Sequence, residues 1–129
     1  MATLNIKLNL DSKNAISDEL NFTVSDVLTT TNPAIGGARK VVSTVGASNI
    51  IQPDTSGATY YLYVKHTGTS DGSSATTENL GVELTGDVPF AVLAPNEFCF
   101  LPVGGGSFGV QLQAASGTVV AEYAWFKKG

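Results

Sequence analysis

Apolar and polar residues alternate along much of this chain with the period of two that is typical of β-strands. In residues 4–10 every second position is Leu or Ile, and the positions between them are Asn or Lys. This pattern predicts a strand with one buried face. The same alternation recurs in residues 20–25, 80–84, 108–113 and 119–125, so much of the chain is predicted to form strands with one dry face.

Two further segments are predicted to be strands with bulky side chains on both faces. Residues 59–65 are almost all aromatic or β-branched, which places them in the middle of a sheet. Residues 98–101 form an unbroken apolar run, as expected where a strand is covered on both sides. Between strands, the sequence predicts a loop at residues 35–37, an exposed hairpin loop at 67–77 and a tight turn at 94–97.

Turn-forming residues recur at intervals of roughly 8–12 residues, and no amphipathic helix of useful length interrupts them. We therefore expect about eight or nine short antiparallel strands in an all-β fold, either a β-sandwich or a jelly-roll-like barrel. No repeat of fixed period and no linker divides the sequence, so residues 1–129 are predicted to form a single β domain. Residues 1–13 fit two roles equally well, a strand of the domain's own sheet or an arm that engages a neighbour.

Charged residues make up only 14% of the 129 residues, against about 25% in typical soluble domains. Ser, Thr, Asn and Gly take their place. Such a surface suits an ordinary β domain, and it equally suits a protein that packs against neighbours, where every unpaired charge would have to be desolvated. The net charge of −4 and the scattered Lys and Arg residues argue against nucleic-acid binding, which requires a basic face.

Cys99 is the only cysteine, so the chain has no internal disulfide and no thiolate cluster for zinc. Its position between Phe98 and Phe100 predicts a buried, unreactive thiol. No segment approaches the ~20 apolar residues that span a bilayer, and the first residues lack the pattern of a signal peptide. We therefore expect a protein that is made in a cytoplasm and has no membrane partner.

Groups with acid–base chemistry are few, and none forms a recognisable catalytic motif. His66 is the only histidine, and no Gly-x-Ser-x-Gly nucleophile motif accompanies it, so we expect a surface or interface histidine. The paired acids of a glycoside hydrolase would have to come from carboxylates in or beside strands, and the sequence alone does not bring any two together. These carboxylates are Glu83, Asp87, Glu97 and Glu122. A small hydrolase is therefore kept as an alternative hypothesis.

Binding motifs are equally sparse. Oxygen ligands for calcium could come from the polar loop, but their spacing lacks the ligand order of an EF-hand, and a solvated loop tip is the simpler interpretation. These loop residues are Asp71, Ser73 and Glu78. Residues 104–106 are turn glycines, because no Lys-Ser/Thr pair and no helix follow them. An aromatic platform for a sugar ring is a further alternative, built from Tyr60, Tyr61, Tyr63 and Trp125. No catalytic, cofactor or metal residue is assigned.

Four short motifs carry a resemblance to a known class of proteins. They are ATYYLYVK at residues 58–65, VLAPNEF at 92–98, FLPV at 100–103 and VAEYAW at 120–125. With these motifs the chain resembles small virion structural proteins of tailed bacteriophages, which share a Pro-x-Glu turn before an aromatic strand and a closing Glu-Tyr strand. The likeness is close in the second half of the chain and loose in the first. Asn96 stands where a glycine is frequent in that turn, and Asn tolerates the backbone angles required there.

The resemblance implies a repeated, non-enzymatic building block of a virion, with no catalytic residues to carry over. Capsid decoration, in which the protein cements the shell by binding the major capsid protein, is the role we expect. A neck, tail or baseplate component is the close alternative, and a carbohydrate-binding module for host attachment is another. A homo-oligomer is expected, with a trimer favoured. The candidate interface residues are Leu4, Ile6, Leu8, Tyr61, Tyr63, His66, Trp125 and Phe126.

Overall fold

The chain folds into β-strands connected by turns and loops in the computed structural model, which describes residues 2–13, 20–46, 50–52, 59–84, 88–104 and 109–128. Nine strands lie within these described residues. They are β1 (Ala2–Ser12), β2 (Leu20–Val42), β3 (Ile50–Gln52), β4 (Tyr60–His66), β5 (Leu80–Leu84), β6 (Pro89–Leu93), β7 (Phe98–Val103), β8 (Val110–Ala114) and β9 (Val119–Lys128). The prediction of an all-β fold is confirmed.

The strands form two antiparallel sheets, and neither sheet closes into a barrel in the described part of the chain. The five-stranded sheet has the order β1-β2-β9-β4-β7, and the four-stranded sheet has the order β3-β8-β5-β6. One cluster of buried side chains joins the inner faces of both sheets, as in a β-sandwich. This cluster contains Val42, Ile51, Leu62, Val64, Leu80, Val82, Leu93, Val103, Val110, Leu112, Ala114, Val119 and Ala121.

Strand β4 shows how the alternation in the sequence builds this core. It lies between β9 and β7, in the interior of its sheet, as predicted from its bulky side chains. Tyr60, Leu62 and Val64 are buried, and the residues between them are only partly buried on the outer face of the sheet. The inward-facing set predicted in β9 is also confirmed, since Val119 and Ala121 are buried in the same core.

Strand β2 differs from the prediction, because residues 35–37 belong to a strand and not to a loop. Ile35, Gly36 and Gly37 pair with Phe126, Trp125 and Ala124 of β9, and the register shifts once between Thr30 and Ile35. At Gly37 an added Cβ would lie 3.2 Å from the carbonyl oxygen of Tyr123, so the glycine lets the two strands approach closely. The result is one strand of 23 residues, much longer than the short strands expected.

Strand β7 also corrects the sequence interpretation, because it lies at the edge of the five-stranded sheet and is not covered on both faces. Phe98 is 56% exposed, and Phe100 is only partly buried. Apolar residues on both faces of a strand do not distinguish a buried strand from an edge strand whose outer face is exposed. The aromatic residues of β7 are therefore available for contact outside the core.

The connections agree only in part with the predictions. Residues 67–79 do not join two strands of a hairpin, since β4 and β5 belong to different sheets. The predicted tight turn at residues 94–97 is confirmed: the Glu97 N–H donates to the Ala94 carbonyl at 3.0 Å, and Asn96 has a φ of 71°. A positive φ at this position fits a type II turn, with Pro95 before it.

Candidate interaction surface

The first strand and the first half of the second form a hairpin that we call the arm, defined as β1 together with residues 20–30 of β2. The eleven residues of β1 pair in continuous register with β2, from Ala2 opposite Thr30 to Ser12 opposite Leu20. Within the described residues β1 has no other neighbouring strand. Strand β2 reaches β9 through Thr30 and then from Ile35 onward. The arm is therefore an extension of the five-stranded sheet.

The arm has one apolar and one polar face, because opposite residues of an antiparallel pair point to the same side. The apolar face of the arm consists of Leu4, Ile6, Leu8, Leu10, Phe22, Val24 and Leu28, and it also carries Asp26 opposite Ile6. Its far end is open to solvent, with Leu10 50%, Phe22 58% and Val24 57% exposed. Apolar surface gains about 25 cal/mol per Å² when it leaves water, so this face favours contact with another surface.

The base of the arm meets the outer face of the sandwich in a shallow groove of about 330 Å³. Leu4 and Ile6 come from the arm, while Tyr63, Phe100 and Phe126 come from three adjacent strands, β4, β7 and β9. The registers explain this grouping, since Tyr63 lies opposite Phe100 on one side and Ala124 on the other. The apolar face of the arm therefore continues into an aromatic surface on the sheet.

Aromatic side chains extend this surface beyond the groove. The rings of Tyr61 and Phe100 stack with centroids 6.2 Å apart and planes 16° from parallel. The Lys128 ammonium lies 4.9 Å from the centroid of the Tyr61 ring, a cation–π distance. Phe98 follows on the same face of β7, two residues from Phe100. The outer face of the sheet is thus aromatic, with a cationic group at its margin.

Two charged groups near the groove, Arg39 and Glu122, are paired with each other, while Lys7 of the arm also lines the groove. The Arg39 guanidinium lies 3.3 Å from a carboxylate oxygen of Glu122, the only ion pair among the described residues. The Tyr63 hydroxyl donates to the other oxygen of Glu122 at 3.4 Å. Partial burial, followed by the nearby Glu122 charge, raises the pKa of the Tyr63 phenol above its ordinary value. Tyr63 is therefore a neutral donor at physiological pH.

Six of the eight predicted interface residues lie on this combined surface. Leu4, Ile6, Tyr63 and Phe126 line the groove, Leu8 follows along the arm, and Tyr61 lies on the outer face of the sheet. The remaining two, His66 and Trp125, lie on the core side of their strands. That these six residues form an interface stays a prediction, while His66 and Trp125 point to the core because the face of each strand residue was misassigned.

His66 is not a surface histidine, because its side chain is completely buried. Its Nε2 lies 2.8 Å from the Glu78 carbonyl oxygen, and its Nδ1 accepts the Gly68 N–H at 2.9 Å. These partners require the tautomer that carries its proton on Nε2. The ring thus fixes both ends of the loop between β4 and β5. The prediction of a surface histidine is wrong because side chains alternate along β4, and His66 falls on the same face as the buried residues Leu62 and Val64.

The proposed sugar platform is divided between two faces of the sheet. Tyr60 and Trp125 lie on the core side, with their rings edge to face and their centroids 5.4 Å apart. Tyr61 and Tyr63 lie on the outer side. A single flat platform of all four rings is therefore wrong, since neighbouring residues of a strand point in opposite directions.

The candidate acids are separated in space or occupied by local contacts. Glu122 lies on the outer face of the five-stranded sheet, while Glu83 lies on the outer face of the other sheet. A Glu97 carboxylate oxygen accepts the Ala94 N–H at 2.7 Å and so stabilises its own turn. Asp87 lies outside the described residues. The described chain thus presents no pair of carboxylates facing each other across a cleft.

The polar loop is folded around Asp71. One oxygen of its carboxylate accepts the N–H groups of Ser73 and Ser74 at 2.8 and 2.6 Å, and the other accepts the Ser74 hydroxyl at 3.0 Å. The backbone bonds from Ser74 and then Ser73 lower the pKa of Asp71 below its ordinary value. Among the described residues no group of three or more His, Cys, Asp or Glu side chains is arranged to hold a metal ion.

Glu83 and Gln111 form a buried polar pair, in which the Gln111 side-chain amide donates to the Glu83 carboxylate. An added Cβ at Gly46 would collide with both groups at 2.6 Å, so the glycine allows the backbone to cover the pair. Gln111 Oε1 has no hydrogen-bond partner among the described residues. Cys99 packs against the core, and burial raises the pKa of its thiol, which agrees with the prediction of low reactivity.

Several residues of the surface were missed in the sequence. Leu10, Phe22 and Val24 belong to predicted strands, but alternation predicted a buried face for them, and their pairing in a hairpin beyond the core was not predicted. Phe98 and Phe100 were assigned to a strand covered on both faces. A signal was present, because an apolar run next to Pro102 fits an edge strand better than a central one.

No helix in the described part of the chain is long and apolar enough to cross a membrane. The chain matches no protein-family model, no curated protein and no solved structure. A proposal for its function therefore rests on the surface geometry described above and on the sequence motifs.

Proposed function

We propose that this chain is a non-enzymatic structural protein of a tailed-phage virion, and that its role is to decorate and stabilise the capsid. The observation that carries the proposal is the exposed apolar face of the arm, which continues into the aromatic outer face of the sheet. A surface of this kind is expected on a protein that acts by burying area against a partner. The partner in this proposal is the major capsid protein.

The distribution of charge supports the same role. The residues exposed at the far end of the arm's apolar face are Leu10, Phe22 and Val24, and the acidic residue on this face, Asp26, already accepts its neighbour's N–H at 2.7 Å. Docking this face would therefore desolvate few charges. With 14% charged residues, the chain as a whole has little charge that would oppose close packing of copies.

The motifs of the resemblance occupy elements that build this surface. The Pro-x-Glu turn orders residues 94–97 immediately before β7, which carries Phe98 and Phe100. The closing Glu-Tyr strand is β9, where Glu122 binds Arg39 and Phe126 lines the groove. These motifs support the proposal that the chain is a virion protein, but they do not distinguish its place in the particle. A neck, tail or baseplate position remains the second candidate, since the same surface would serve there.

The test is the composition of purified virions of the phage that encodes the chain, measured by quantitative mass spectrometry. We expect tens to hundreds of copies in each particle, retained on capsids separated from their tails. Absence of the chain from the particle would overturn the proposal. Its recovery with tails alone would support the second candidate.

The surface itself is tested by adding one charge to the arm. Val24→Asp should strongly reduce binding to capsids that lack the protein, because it places a carboxylate on the apolar face. Thr23→Asp is the matched control, since Thr23 is exposed on the polar face of the same strand. Equal binding by the two variants, with both folded, would show that the apolar face is not the contact.

A further inference from the structure

The free edge of β1 is different from the other sheet edges. Strand β7 contains Pro102 and β6 begins with Pro89, and proline lacks the N–H needed to extend a sheet. Strand β3 has only three residues. By contrast, β1 has eleven residues and no proline, and its outer edge pairs with no strand in the described chain. The structure therefore leaves one long edge open to the addition of a strand.

We propose that two copies of the chain pair through their β1 strands, antiparallel about a two-fold axis at Asn9, so that two five-stranded sheets become one. This pairing does not depend on the virion proposal, because it is a property of the isolated chain. Because both copies use the same edge, the contact closes on itself and does not propagate into a fibre. It is also a different assembly from the trimer favoured by the sequence.

The charges on β1 select the register. Lys7 and Asp11 are exposed on the polar face, and their opposite residues on β2, Ser25 and Asn21, are uncharged. With Asn9 opposite the Asn9 of the second copy, each Lys7 lies opposite an Asp11. The contact then contains two cross-strand ion pairs.

The same register also brings the apolar faces of the two copies together. Even-numbered residues of one β1 lie opposite even-numbered residues of the other, so Leu8 of one copy lies opposite Leu10 of the other. Both point to the side of Phe22 and Val24. The two arms then present one joint apolar surface. In a register shifted by one residue, Leu8 of one copy would lie opposite Asn9 of the other, so the apolar faces of the two arms would no longer lie on the same side.

The competing full overlap of β1 is disfavoured by charge. Pairing Ala2 with Ser12 along the whole strand places Lys7 directly opposite the Lys7 of the second copy, and like charges in this position are destabilising. Lys7 therefore acts against full overlap and in favour of the offset register. No intrachain bond between Lys7 and Asp11 competes, because four residues of a strand span about 13 Å.

The first measurement is the mass of the wild-type chain by light scattering during gel filtration, at about 0.1 mM. We expect twice the 13.4 kDa of one chain, with dissociation on dilution. A monomer at this concentration, or a trimer, would overturn the proposal.

Cysteine scanning then tests the register. Asn9→Cys should form an intermolecular disulfide under mild oxidation, because directly opposite Cα atoms lie about 4.5–5.5 Å apart, within the range of a disulfide. Asn5→Cys is the matched control on the same face, since the two copies of residue 5 would lie about 26 Å apart. Lys7→Cys should also fail. Cross-linking of Lys7→Cys but not of Asn9→Cys would indicate full overlap and contradict the proposed register.

A charge exchange provides a test without oxidation. Lys7→Asp and Asp11→Lys should each weaken self-association by about tenfold, because each places like charges opposite one another twice. When the two variants are mixed, every Asp lies opposite a Lys, so a mixed dimer should form with wild-type affinity. Failure of the mixture to associate, with both variants folded, would overturn the proposed contacts.

Discussion

His66 illustrates how a residue with acid–base chemistry can serve only the fold. Its two ring nitrogens bind the Gly68 N–H and the Glu78 carbonyl, and its own backbone N–H and carbonyl bind the Glu97 carbonyl and the Asn96 N–H. A single buried residue thus connects β4, the loop after it and the turn before β7. This role could not be inferred from the sequence, because it depends on two segments distant along the chain.

His66→Ala should therefore destabilise the protein by about 2–4 kcal/mol, since it leaves a cavity and removes two partly buried hydrogen bonds. The measurement is the free energy of unfolding in urea. Lys65→Ala is the control, because Lys65 lies on the outer face of the same strand and should change stability by less than about 0.5 kcal/mol. Equal stability of His66→Ala and the wild type would contradict the role assigned to the ring.

At the scale of elements, the loop between β4 and β5 has an ordered structure of its own. Asp71 organises its tip, the Thr69–Ala75 bridge closes it, and the Thr118 hydroxyl donates to the Ser70 carbonyl at 2.8 Å. The composition of this segment correctly predicted exposure but not order. Short polar side chains bonded to nearby backbone produce such structure without a hydrophobic pattern.

The Asp71 contacts should weaken only in strong acid. Because the folded pKa is lowered, their contribution is fully present above the ordinary Asp value and is lost as the pH falls through the lowered pKa. The amide signals of Ser73 and Ser74 followed by NMR should therefore shift with a midpoint below that of an ordinary Asp. In Asp71→Asn this transition should disappear. A midpoint at or above the ordinary value would contradict the hydrogen bonds described.

The elements themselves were largely predictable, since alternation identified β1, the first part of β2, β5, β8 and β9, and residue type identified β4. The buried face predicted for residues 4–10 and 20–25 is wrong at the far end of the arm, where Leu10, Phe22 and Val24 are exposed. The errors occurred in β2 and β7, where local pattern and tertiary position disagree. Two consecutive glycines at residues 36 and 37 usually mark a loop, and here they allow close pairing with β9. An apolar run usually marks a covered strand, and in β7 its outward aromatic residues form part of the candidate surface.

At the scale of the whole molecule, the described chain consists of a packed sandwich and an arm with little core of its own. Leu62 is fully buried between the sheets, while Leu10 is half exposed on the arm. The sequence gives both residues the same strand pattern, so it cannot separate scaffold from contact surface. The distinction depends on which sheet face another layer covers.

Two substitutions of Leu by Ala should distinguish the packed sandwich from the arm. Leu62→Ala should lower the free energy of unfolding by about 2–5 kcal/mol, because it leaves a cavity in the core. Leu10→Ala should lower it by less than about 0.5 kcal/mol in dilute solution, where the arm is unpartnered. Chemical denaturation at low concentration compares them. A large loss of stability for Leu10→Ala would show that the arm is packed against the domain.

The unbroken course of β2 has a mechanical consequence. Because the arm is not attached through a flexible linker, a pull along it acts on β2 parallel to the strand axis. The hydrogen bonds that hold residues 35–42 to β9 then carry the load in shear, all at once, and do not open one after another from an end. Force from a partner bound to the arm would thus be transmitted directly to β2 and β9 of the sandwich.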